Sequence, residues 1–128
     1  MNYYFNKTIA SDFESVKKRV IEELGKEGFG ILSEIDVKAT FEKKLEIDFR
    51  KYQILGACNP KFAHKAITAE DKIGTMLPCN VVLQELENGD IEVAAINATA
   101  SMQAVENSKV AEIAKEISGR LKKVVDAL

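Results

Sequence analysis

Within one short span of this 128-residue chain lie both cysteines, the single histidine, and two asparagines beside the cysteines: Cys58-Asn59-Pro60, then His64, then Pro78-Cys79-Asn80. A thiolate is both a nucleophile and a metal ligand, and a cysteine just ahead of a helix sits near unpaired N–H groups and the positive dipole end, which favour that thiolate. Asn59-Pro60 marks such a start, because Asn is a good cap and Pro suits the first helical position. His64 follows about one turn later, and helical side chains lean towards the N-terminus, so it is expected to face Cys58. Cys79 opens the next strand. If that strand runs antiparallel beside the one ending at Cys58, the thiols meet.

Two chemistries use that cluster. Cys58, Cys79 and His64 are weak candidates for a soft cation such as zinc, with water, substrate or a subunit partner as fourth ligand. The same three are catalytic candidates for thiol redox work, with Cys58 attacking, Cys79 resolving or co-ligating and His64 assisting proton transfer. With Asn59 and Asn80 added, the ligand-binding candidates are Cys58, Asn59, His64, Cys79 and Asn80. No CxxC or HExxH spacing supports metal or redox chemistry, and no cofactor is named by these residues. The plain structural alternative makes the cysteines small buried hydrophobes at strand ends, Asn59 a cap and His64 surface or core filler. Pro78 is expected to be trans, the form of most X-Pro bonds.

The elements that must position these residues can be read from periodicity. Residues 3–9 mix aromatic and β-branched types as a strand does, and Ser11 with Glu14 forms a capping box that opens a helix carrying Phe13, Val16, Val20 and Leu24. Gly25 or Gly28 ends it. Residues 29–35 suggest a second strand, and Val37, Phe41 and Leu45 a short helix capped by Asp36 or Thr40. Residues 52–58 read as a third strand, followed by a helix to about Ala69. Gly74 and Pro78 interrupt the chain before "CNVVLQEL", and Asn88-Gly89 turns that strand into "DIEVAAIN". After Ser108, Val110, Ile113, Ile117, Leu121, Val124 and Leu128 mark a long amphipathic helix, weakened slightly by Gly119.

That order makes residues 1–128 one α+β domain, an antiparallel sheet covered on one face by helices. A two-residue Asn-Gly loop would put Val81 and Leu83 with Ala94 and Ile96 on one face, and Val82 and Leu86 with Ile91 and Val93 on the other. Both faces would then be partly apolar, so the second face is expected to be covered by another copy in a homodimer. The same register sets Glu85 against Glu92.

At −2, the net charge gives no general attraction to nucleic acid or anionic lipid, and no apolar run approaches the roughly 20 residues of a membrane helix. The start lacks the pattern of a secretory signal, so a cytoplasmic protein with reduced thiols is expected. "GKEGFG" sits at a helix end and reads as a cap and turn rather than a phosphate loop.

"YQILGACNPKFAHKAI", "IDVKATFEKKL" and "IGTMLPCNVVL" together resemble the family catalogued as domain of unknown function 302. The resemblance covers most of the chain. It implies a fold similar to half of the TATA-binding-protein saddle, strand-helix-four strands-helix with small inserted helices, commonly as a dimer, and it brings no established reaction. Where the family carries Asp-Pro at the end of the hairpin, this chain has Asn97-Ala98. The expected function is binding of a small molecule or metal at the Cys/Asn/His cluster. The alternatives are a thiol-dependent redox enzyme and a dimeric interaction module with no chemistry.

Overall fold

Five antiparallel strands and their helices account for nearly all of the computed structural model, which describes residues 2–128. The strands are β1 (Tyr4–Ile9), β2 (Gly30–Asp36), β3 (Tyr52–Cys58), β4 (Cys79–Glu85) and β5 (Ile91–Ile96), in the order β1-β5-β4-β3-β2. The helices are α1 (Phe13–Lys26), α2 (Val37–Leu45), α3 (Pro60–Ala69), α4 (Ala98–Ser101) and α5 (Ser108–Asp126), with a 3-10 helix at Asp71–Met76. No helix among the described residues is long and apolar enough to cross a membrane.

One face of the sheet carries the core. Leu55 and Ala57 of β3, Val81 and Leu83 of β4, and Ile91, Val93 and Ala95 of β5 are almost wholly buried. Against them lie the stripe Phe13, Val16, Val20 and Leu24 of α1 and the stripe Val110, Ala114, Ile117, Leu121 and Val124 of α5. Each fully buried Leu, Ile or Val contributes about 1.5–3 kcal/mol by leaving water.

The hairpin differs from the sequence expectation by one residue. Val81 pairs with Ala95, Leu83 with Val93 and Glu85 with Ile91. The loop therefore has three residues, Glu87-Asn88-Gly89, closed by Leu86 N–H donating to the Asp90 carbonyl at 2.8 Å, with Gly89 at φ +90°. A one-residue slip exchanges the two faces of a strand. The true register gathers the large apolar residues on the helix side and leaves Val82, Gln84, Glu92, Ala94 and Ile96 on the open side, so Glu85 does not face Glu92. Across the open side Asn6 and Gln84 donate to Glu92, and Arg50 donates to Gln84.

Helix ends show smaller departures. Asp12, not Ser11, caps α1, because one carboxylate oxygen accepts Ser15 N–H at 2.9 Å while the other takes the Ser15 hydroxyl. α2 is capped by Asp36 as expected but buries no side chain, and its Phe41 packs edge-on against Phe49. α4 and the 3-10 helix are additions to the sequence reading. The Leu77–Pro78 peptide is cis rather than trans.

Candidate functional site

Where β3 ends and β4 begins, the sheet is not filled to its edge. α3 and α5 cross this end with Phe62 and Ala66 on one side and Ala114 and Ile117 on the other, above Ala57 and Cys79 of the sheet. Alanines at these positions leave the space between the helices unfilled. The result is a cavity of about 320 Å³ whose walls are overwhelmingly apolar. Cys58 and Asn59 also line it, and Met102 closes the side nearest α4.

Asn59 follows β3 and precedes α3, yet its side chain does not cap α3. It is buried to 8% exposure, and its Nδ2 instead donates to the Glu27 carbonyl at 3.2 Å. That carbonyl belongs to the residue ending α1 and also accepts Arg120 Nη1 from α5 at 3.2 Å. The Arg120 guanidinium lies over the Phe62 ring, 5.1 Å from its centroid. The close approach of Asn59 requires glycine at position 28. A Cβ there would stand 2.9 Å from Asn59 Nδ2, and the backbone is left-handed at φ +87°.

Both thiols are free, and they are not near each other in the sense a resolving pair needs. Cys79 stands opposite Ala57, whereas Cys58 is one residue further along and on the other side of the pleat. Burial pushes the Cys79 thiol up from 9.0 to about 11, with the charge of Cys58 a smaller contributor. Cys79 is therefore a neutral thiol at ordinary pH. The expected approach of Cys58 and Cys79 as a reactive couple is corrected by the register.

His64 does not join them. Phe62, Ala63 and Ala66 turn one face of α3 to the cavity, and His64 with Thr68 turns outwards to a separate groove beside Lys109 and Glu112 of α5. Asn80 follows Cys79 and so falls on the open side of the sheet, exposed. Of the five ligand-binding candidates, Cys58, Asn59 and Cys79 meet at one cavity, while His64 and Asn80 lie elsewhere. Among the described residues no group of three or more His, Cys, Asp or Glu side chains is placed to hold a metal ion, so Cys58, Cys79 and His64 do not form the ligand set considered above.

The walls contributed by Phe62, Ala66, Ala114 and Met102 were not apparent as site residues. Their one signal is small alanines on helix faces that otherwise carry large apolar side chains.

A family model described as Domain of unknown function DUF302 matches residues 5–128. The chain belongs to the DUF302 family. A solved structure similar to this DUF302 chain is that of an uncharacterized conserved DUF302 protein from Bacillus stearothermophilus. It is 27% identical, with a TM-score of 0.90, and the likeness covers 98% of each chain. A comparison with curated proteins finds no match. In this DUF302 chain Asn97, at the end of the hairpin, has an internal duty: it caps α4, its Oδ1 accepts the Ser118 hydroxyl at 3.0 Å, and its Nδ2 donates to the Asn2 carbonyl.

Proposed function

We propose that this DUF302 protein binds a small, mainly apolar molecule in the cavity between α3, α5 and the ends of β3 and β4. The observation that carries this reading is the cavity itself, about 320 Å³ of apolar space with Cys58 and Asn59 at its polar side. Ligand pockets are commonly of about 300–1,000 Å³ and lined by apolar groups with a few polar ones. An apolar cavity of about 150 Å³ stays dry and admits benzene. Twice that volume suits a guest of about two fused rings. Naphthalene fluorescence, titrated with the wild-type chain and with Ala114→Leu, tests this. Saturable binding that the leucine abolishes is expected. No binding, or binding unaffected by the leucine, overturns the reading.

A thiol-redox enzyme has less support, because burial keeps Cys79 protonated and the two thiols do not face one another.

The open side of the sheet favours a second reading, in which another copy covers it. Tyr4, Ile54, Val82, Ala94 and Ile96 give that side a half-buried apolar character, beside a Tyr3 that is 67% exposed. Sedimentation at micromolar concentration gives a dimer on this reading, and a monomer disposes of it.

A further inference from the structure

The polar side of the cavity has a chemical sense. Asn59 is more than nine-tenths buried, and the Glu27 carbonyl, which can only accept, fixes its amide so that Nδ2 points to that carbonyl. Oδ1 is thereby turned away from Glu27. It takes no bond from the backbone of α3, and no other donor among the described residues reaches it. Nor does either thiol at the cavity offer it a hydrogen bond. Oδ1 is not sealed inside the protein: it is open to solvent through the cavity that Asn59 lines, so it goes unpaired only when a guest covers it without supplying a donor. In a cavity of otherwise apolar lining, a guest that supplies one donor keeps that oxygen satisfied, whereas a guest without one shuts it away from any donor.

We infer that the cavity selects neutral, flat, mainly apolar molecules that carry a single N–H or O–H donor, such as indoles and phenols, and that Asn59 Oδ1 is the acceptor that recognises them. This rests on the binding reading above and adds the class of molecule bound. Charge on the guest is disfavoured, since nothing in the lining pairs with an ion and desolvating one is costly. Asn59 binds rather than reacts: no bond is made or broken.

Two isomers separate the donor from size and hydrophobicity. Skatole and N-methylindole contain the same atoms, and only skatole keeps its ring N–H. The chain has no tryptophan, so the indole fluorescence of either guest, excited beyond tyrosine absorption, reports on the guest alone. Skatole is expected to bind about three- to tenfold more tightly, the range a single neutral hydrogen bond supplies. In Asn59→Leu the ratio of the two affinities is expected to fall to about one, and comparing ratios cancels any general weakening of the site. Equal affinity of the isomers for the wild-type chain overturns the donor inference while leaving the binding reading intact. Binding of neither isomer defeats both. A skatole preference that survives in a folded Asn59→Leu removes the assignment to Asn59. If that variant does not fold, Ala114→Leu is used to place the isomer preference: loss of skatole binding keeps it in this cavity, and its persistence there overturns the inference.

Discussion

Alkylation of the folded chain with iodoacetamide at neutral pH should modify Cys58 and spare Cys79. The magnitude follows from the Cys79 environment. Only the thiolate reacts, and a thiol pushed from 9.0 up to about 11 has roughly a hundredth of the thiolate at neutral pH that the same residue has in the unfolded chain. Cys79 is also only 7% exposed, so reagent approaches it solely from the cavity it lines, in a restricted geometry. The two factors multiply. Cys79 in the native chain is therefore expected to react at least about a hundredfold more slowly than in urea. Cys58, only partly buried at the cavity edge, takes the first label. Intact-mass measurements over time should show one addition on the native chain and two in denaturant, with peptide mapping placing the first at Cys58. Modification of Cys79 in the folded protein at its unfolded rate would refute the burial argument, and with it the account of how the cavity floor is built. The singly labelled protein offers a further check, because an adduct on Cys58 occupies cavity space and should weaken naphthalene binding.

The same thiol predicts a dependence of stability on alkaline pH. Its folded value is raised, so the native state keeps a proton that the unfolded chain releases above about 9, and stability is lost as pH climbs from there to about 11. The loss is about 2 to 3 kcal/mol relative to Cys79→Ala, with no such difference in slope below about pH 8, and denaturant titrations of both proteins across that window read it directly. Asn97→Ala should cost about 1–3 kcal/mol, because it removes the acceptor of the buried Ser118 hydroxyl proton and the donor to the Asn2 carbonyl; an unchanged urea midpoint would show that water replaces the side chain at no cost. Gly56→Ala should destabilise by about 1–3 kcal/mol, since the new Cβ meets the Ser33 hydroxyl and lies 2.8 Å from Pro78 Cγ. Ser33→Ala in the same chain should recover only part of this, because the proline ring cannot turn aside; full recovery would assign the whole clash to Ser33.

Local periodicity carried most of the fold. Val16, Val20 and Leu24 on one side of α1, and Val110, Ile117, Leu121 and Val124 on one side of α5, name both helices and the face each buries. β3 and α3 begin and end where their residues indicate, since Asn59-Pro60 permits a helix to start and not a strand to continue. The hairpin register was less legible. Gly89 suits the left-handed position of either a two- or a three-residue loop, and only Leu86 pairing with Asp90 decides between them. His64 was misplaced by helical phase: Phe62 and Ala66, four apart, define the inner stripe, which leaves residue 64 outside. Asn80 was misplaced by the twofold alternation of a strand in which Cys79 already points inwards. The cavity was the hardest to see, because it is made by volume that Ala66 and Ala114 do not fill, and missing volume has no motif.

Arg120 sits on the surface side of α5, about a third of its side chain exposed, and would pass for one of many solvated cations. It performs three fixed tasks with one planar group: Nε to Glu116, Nη1 to the Glu27 carbonyl, and its face on Phe62. With Asn59 as the other donor, both lone pairs of the Glu27 oxygen are taken within the protein. Arg120 thus works as a latch, tying the end of α1 and the start of α3 to α5 through a residue that touches no guest. A lysine keeps the charge but has neither the fork nor the flat face, so the exchange that looks most conservative at this position is one that releases the wall.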